Sequence, residues 1–131
     1  MLTLKTTNFP AKIVSNTPTA VLQVYARGNR QRLFDTSELV YLQGDANYTW
    51  LHWKDRPSML VSKTLKYFMS MLPAGDFVRL HRNCIVNCRY VERLEQLKNG
   101  GGLVYLETGT TLTISRRRWE EIERHFTLET R

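Results

Sequence analysis

The sequence predicts a mainly β domain carrying two short amphipathic helices. Short runs rich in β-branched, leucine and aromatic residues, at 39–42, 47–53 and 103–106, are separated at close intervals by Gly, Asn, Asp and Pro. The apolar spacing changes to the helical period in two places, near 62–72 and near 117–126. A length of 131 residues suits one domain with a single core.

In chain order, residues 1–19 lack sustained periodicity and are interrupted by Pro10 and Pro18, which predicts a loosely held arm ahead of a domain over 20–131. Residues 21–26 alternate as a strand, Gly28-Asn29 turns, and residues 30–34 return, giving a hairpin. After a turn at Asp35-Thr36-Ser37, residues 39–42 form an apolar run suited to a buried strand that ends at Gly44-Asp45-Ala46. A strand over residues 47–53 puts Tyr48, Trp50 and His52 on one face and Thr49, Leu51 and Trp53 on the other. Residues 54–57 carry turn chemistry, and residues 59–61 return as a strand.

From Ser62 the pattern becomes helical. Leu65, Phe68, Met69 and Leu72 fall at i, i+3, i+4 and i+7, with Ser62 as N-cap and Pro73 as the stop. The opposite face carries Lys63 and Lys66, as the solvated face of any amphipathic helix would. Residues 91–97 alternate imperfectly as a strand, and Asn99-Gly100-Gly101-Gly102 reads as a hairpin turn. A phosphate-loop reading of these glycines fails, because no Gly-Lys-Ser/Thr follows and residues 103–106 read as a strand. Thr108-Gly109 turns and residues 111–115 form the last strand. Trp119, Ile122 and Phe126 then give a short closing helix, with Ser115 as its candidate cap.

Composition narrows the function classes. With 42% hydrophobic and 24% charged residues, and no apolar run approaching membrane-spanning length, the chain reads as an ordinary soluble protein. Residues 1–7 lack the features of a signal peptide, so the expected location is cytoplasmic, with no membrane partner. A formal charge of +7 and a pI near 9.7 favour a polyanionic partner, nucleic acid first, although many basic domains bind nothing. Cys84 and Cys88, with His81, supply too few ligands for a zinc site, so no metal or cofactor is expected. They read instead as small, half-buried strand residues in a reducing compartment. No Cys-His, Ser-His or paired-carboxylate arrangement makes an enzyme credible from the sequence, and no catalytic residue is assigned.

The most informative stretch is 77–87, FVRLHRNCIVN. Two apolar segments flank His81, Arg82 and Asn83, which predicts two strands joined by a bend that turns an imidazole, a guanidinium and a carboxamide outward together. Arg and Asn match base edges in the major groove, Arg to guanine and Asn to adenine. Arg116, Arg117 and Arg118 form a second basic feature, at the start of a helix whose dipole prefers anions. An anionic ligand would neutralise them.

Taken in order, the strand leading into Gly44-Asp45-Ala46-Asn47-Tyr48, the helix into Leu72-Pro73, FVRLHRNCIVN, the Gly turn and ISRRRWEEI resemble the LytTR family of bacterial DNA-binding domains. The likeness runs from about Val21 to Phe126, and its most specific parts are Phe77-x-Arg79-Leu80-His81-Arg82 leading to Ile85-Val86-Asn87, and Ile114-Ser115-Arg116-Arg117. The resemblance implies an elongated stack of small antiparallel sheets that sends loops, not a recognition helix, into successive major grooves. The implied loops lie around Asp45-Ala46-Asn47-Tyr48, at His81-Arg82-Asn83 and at Ser115-Arg116-Arg117-Arg118. This chain departs from the family at Asn83 and Cys84, where Ser and an aromatic are usual.

The expected function is therefore sequence-specific binding of double-stranded DNA by a transcriptional regulator. Arg82 and Arg117 would read base edges, Asn47 and Asn83 would assist, and Arg116, Arg118, Lys63 and Lys66 would position phosphates. His81 either donates to DNA or holds Arg82 in line, and Tyr48 is either a contact or a core aromatic. Repeated half-sites bound by a homodimer are implied by the resemblance. Family members usually follow a receiver domain, which the short segment before Val21 cannot hold. The expectation is thus a stand-alone regulator or a piece of a longer protein, with control through abundance, a partner or the redox state of Cys84 and Cys88. The alternative is a non-enzymatic protein-interaction or inhibitory module that pairs with another regulator through its sheet edges. An RNA-binding role is a lesser version, separable by competition between duplex DNA and RNA.

Overall fold

The computed structural model describes residues 3–8, 21–26 and 30–129. Its strands are β1 (Thr3–Asn8), β2 (Val21–Ala26), β3 (Arg30–Asp35), β4 (Leu39–Asp45), β5 (Tyr48–Trp53), β6 (Met59–Val61), β7 (Phe77–His81), β8 (Cys84–Asn87), β9 (Val91–Leu97), β10 (Gly102–Leu106) and β11 (Thr111–Ile114). Helix α1 (Leu65–Met71) lies between β6 and β7, and α2 (Trp119–Glu129) follows β11. Short 3-10 turns occupy Thr36–Glu38, Cys88–Tyr90 and Arg116–Arg118. The strands pair antiparallel in three sheets, ordered β1-β9-β10-β11, β2-β3 and β6-β5-β4-β8-β7.

The five-stranded sheet is the middle layer, and β8 is buried along its whole length. Alternate side chains of β8 enter different cores, as the two-residue strand period requires. Ile85 joins Leu22, Phe34, Leu42, Leu51, Trp53 and the α1 residues Leu65 and Phe68 on one face. Cys84 and Val86 join Leu94, Val104, Ile114 and the α2 residues Trp119, Ile122 and Phe126 on the other. The single core expected from chain length is thus two clusters, divided by a sheet apolar on both faces.

Three one-residue irregularities set which side chains reach which core. In β4, Leu39 pairs with Trp53 and Tyr41 with His52, so Val40 is extra and turns toward the α2 side. In β7, Arg79 pairs with Ile85 and His81 with Cys84, leaving Leu80 extra. In β9, Arg93 pairs with Tyr105 and Val91 with Leu106, leaving Glu92 extra and burying both Val91 and Leu94. This last bulge is why residues 91–97 alternate imperfectly in sequence.

β5 is as expected, with Thr49, Leu51 and Trp53 buried. Other expectations need correction. Residues 3–8, assigned to a loose arm, form β1 against β9, a pairing made by backbone groups that needs no apolar periodicity. The rest of 1–19 and the turn at Gly28-Asn29 lie outside the described residues. Thr64, not Ser62, caps α1, its hydroxyl accepting from the Tyr67 N–H at 3.3 Å. Met69 is 37% exposed and so leaves the apolar face formed by Leu65, Phe68 and Leu72. The Ser115 side chain makes no capping bond. Gly102 belongs to β10, and Cys88 stands just past β8 in a 3-10 turn. Among the described residues, no helix is long and apolar enough to cross a membrane.

Candidate nucleic-acid interface

Register places the three expected loops in one row. Asp45 pairs with Tyr48, so β4 and β5 are joined by the two-residue turn Ala46-Asn47. Ala46 has a φ of 55°, the positive value such hairpin turns require at their first central residue. On the other side of β4, Gln43 pairs with Cys84, which brings the turn between β7 and β8 to the same end of the sheet. The Gly44 N–H donates to the Asn83 carbonyl at 2.8 Å, tying the two turns together. The Ser115 N–H donates to the Leu80 carbonyl at 3.0 Å, which sets the 115–118 segment beside β7.

The residues after β6 extend the row at its opposite end. Val61 pairs with Thr49, and the Thr49 hydroxyl donates to the Lys63 carbonyl at 2.7 Å. Lys63 is exposed, with its ammonium 5.0 Å from the centre of the Tyr67 ring. Lys66 is exposed in the first turn of α1. A Cβ on Gly44 would meet Leu65 Cδ1 at 3.0 Å, so the start of α1 lies directly over the β4 end. Asn47 and Tyr48 are exposed at the first turn, Tyr48 by 47%, which removes it from the core-aromatic reading.

The middle turn is held closely. Arg82 and Asn83 are exposed, whereas His81 is half-buried. The Asn83 N–H donates to His81 Nδ1 at 3.2 Å, which makes Nδ1 an acceptor and puts the neutral ring's proton on Nε2. Burial first, and the Arg79 charge second, hold the His81 pKa below its ordinary value, in keeping with a neutral ring. Arg79, which no sequence reading assigned to the site, sends Nε to the His81 carbonyl at 3.3 Å and Nη2 to the Arg82 carbonyl. The sequence signal was Arg79 itself, a cation between Val78 and Leu80 in an otherwise apolar strand.

At the third segment, Arg116 and Arg117 are exposed and Arg118 is half-buried, with Nη1 3.9 Å from an exposed Glu121 carboxylate. Arg118 also lies close enough to Arg79 to lower its pKa, after the larger effect of burial. A Cβ at Gly100 would meet Arg116 Cγ at 3.5 Å, so the Arg116 stem rests on the β9-β10 turn. Exposed Lys98 and Asn99 therefore stand at the end of the row, a placement the sequence reading missed. Gly102 lies beneath the Trp119 ring, where a Cβ would come within 2.5 Å of Trp119 Cζ3.

Cys84 directly follows the middle turn but is buried beneath it, and Cys88 lies just past the far end of β8. Burial pushes the Cys84 thiol up to about 12. Cys88 Sγ lies 3.4 Å from His125 Nε2 on α2.

Known proteins with similar sequences and folds agree with this architecture. The chain is 26% identical over 92 residues to the sensory transduction protein LytT of Bacillus subtilis, covering 70% of this chain and 38% of that protein. It is 27% identical over 71 residues to the sensory transduction protein LytR of Streptococcus mutans, covering 54% of this chain and 29% of that protein. The chain therefore spans well under half the length of these curated relatives. The fold matches a solved LytTr DNA-binding domain of a methyl-accepting/DNA response regulator from Bacillus cereus, with a TM-score of 0.71 and 17% identity, covering 83% of this chain and 98% of that one. The family model described as the LytTr DNA-binding domain matches residues 29–127, three quarters of the chain, and this protein belongs to that family.

Proposed function

We propose that this chain binds double-stranded DNA sequence-specifically through loops in the major groove and acts as a transcriptional regulator. The observation that carries the reading is the row itself: the Gly44–Asn83 and Leu80–Ser115 hydrogen bonds hold three polar turns, two of them bearing arginine, at one sheet end. Four strand spacings separate β6 from β7, about 19 Å at ~4.8 Å each. A major groove is about 12 Å wide, so a row of this breadth suits one groove and the phosphates on either side of it, and a second copy would take the next groove about 34 Å away.

Within this reading Arg82 and Arg117, both exposed, take base edges, with Asn47 and Asn83 beside them. Arg116, Arg118, Lys63 and Lys66 take phosphates, and Lys98 extends that set. Tyr48 contacts DNA from the first turn. His81 acts as scaffold for the middle turn through its bond to Asn83, with its Nε2–H free to face the duplex. Two copies on repeated half-sites complete the assembly.

Selection of bound duplexes from a random pool, followed by salt titration of the best one, tests the reading. Contact with about six phosphates gives log K against log salt a slope near −5. Failure to enrich any duplex would favour a second reading, a module that pairs with another regulator. That reading draws on the short edge strand β6, where Leu60 is 49% exposed, and on the exposed Tyr67, Met69 and Met71 of α1.

A further inference from the structure

We infer that Arg79 is the positioning residue of the middle turn, its guanidinium binding the turn's own carbonyls so that Arg82 and Asn83 meet DNA in one fixed arrangement. This rests on the DNA-binding reading above.

All three carbonyls of the turn have protein donors. Those of His81 and Arg82 accept from Arg79 Nε and Nη2, and that of Asn83 accepts from the Gly44 N–H. The Asn83 N–H is held by His81 Nδ1. The peptide groups that would otherwise rotate are thereby fixed from the protein side, leaving the Arg82 and Asn83 side chains exposed. Preorganisation of this kind lowers the ordering cost at the moment of binding. The guanidinium also sets a positive charge against carbonyl dipoles that would otherwise repel a phosphate backbone.

The bulge at Leu80 makes this reach possible, because the extra residue shifts β7 against β8 just before the turn. Lysine cannot replace arginine here. The two contacts come from two different nitrogens of a planar fork, whereas an ammonium is a single point on a flexible stem. The role therefore separates geometry from charge, which R79K keeps.

R79K and wild type are compared on the selected duplex and on random duplex at one salt concentration. The expected result is a drop of about tenfold or more in the ratio of selected to random affinity, with random-duplex affinity within about twofold of wild type. A preserved ratio overturns the inference, and so does a parallel loss on both duplexes, which would make Arg79 a phosphate contact. Hydrogen exchange of the Asn83 amide, measured without DNA, separates this inference from the DNA reading. It should be protected in wild type and exchange about tenfold faster or more in R79K, and equal protection overturns the positioning role whatever DNA does. Absence of any duplex preference in wild type would defeat the DNA reading alone. Should R79K fail to fold, the Arg79 Nε–H of wild type decides: slow solvent exchange supports the inference and free exchange overturns it.

Discussion

The Gly44 N–H donates to the Asn83 carbonyl at 2.8 Å, joining the end of β4 to the turn between β7 and β8. Space at Gly44 is limited, since an added Cβ would meet Leu65 Cδ1 at 3.0 Å and Asn83 Oδ1 at 3.7 Å. Gly44→Val should therefore destabilise the fold by about 1–3 kcal/mol through overpacking. It should also weaken binding to the selected duplex beyond any loss on random DNA, because Asn83 is displaced. Denaturant unfolding and paired affinity measurements check the two parts.

Gly102 plays the corresponding part below the third segment. Trp119 Cζ3 and Cε3 would lie 2.5 and 2.6 Å from a Cβ there, and the Glu95 carbonyl 2.9 Å. Gly102→Ala should cost about 1–3 kcal/mol, at the upper end because backbone and a buried ring must both move. Trp119 fluorescence in the native state should shift with it. An unshifted spectrum and unchanged stability would contradict the packing described.

Asn87 is a buried carboxamide with every group engaged. Its Nδ2 donates to the carbonyls of Leu39 at 2.9 Å and Thr36 at 3.4 Å, and its Oδ1 accepts from the Arg89 N–H at 3.0 Å. Asn87→Ala strands these backbone groups and should cost about 2–4 kcal/mol, measured as a lowered denaturant midpoint.

Stability should also fall in mild acid. Burial lowers the pKa of His52, and burial with the Arg79 charge lowers that of His81, from the ordinary 6.5. Below pH 6.5 the unfolded chain takes up protons at these rings that the folded chain resists. Their contribution is thus fully present above 6.5 and lost as pH falls toward the folded values. His52 Nε2 is buried without a hydrogen-bond partner, so a proton there would be unsatisfied. Unfolding midpoints at pH 7.5 and 5.5 should show the loss, and His52→Gln should shrink the difference.

Much of this was legible where local chemistry decides. The alternation of residues 48–53, the turn residues around 108–109 and the helical spacing of Trp119, Ile122 and Phe126 each report their own element. The bulges at Val40, Leu80 and Glu92 were not legible, because an extra residue shows only against its partner strand. Nor was the row of loops, since β4 and β8 are neighbours in space but some forty residues apart in sequence. Ser62 and Thr64 are both competent caps, and only the bond to Tyr67 distinguishes them. Arg79 stands in the motif of residues 77–82, but its role shows only through its partners, the carbonyls of His81 and Arg82.

The central claim is that an exposed Arg82, held on a fixed turn, reads a base edge, and Arg82→Ala tests it most directly. On the duplex selected by wild type the variant should lose about 1–3 kcal/mol and relax preference at one base position, while affinity for random duplex changes little. Equal losses on selected and random duplexes would contradict the claim and make Arg82 a phosphate contact.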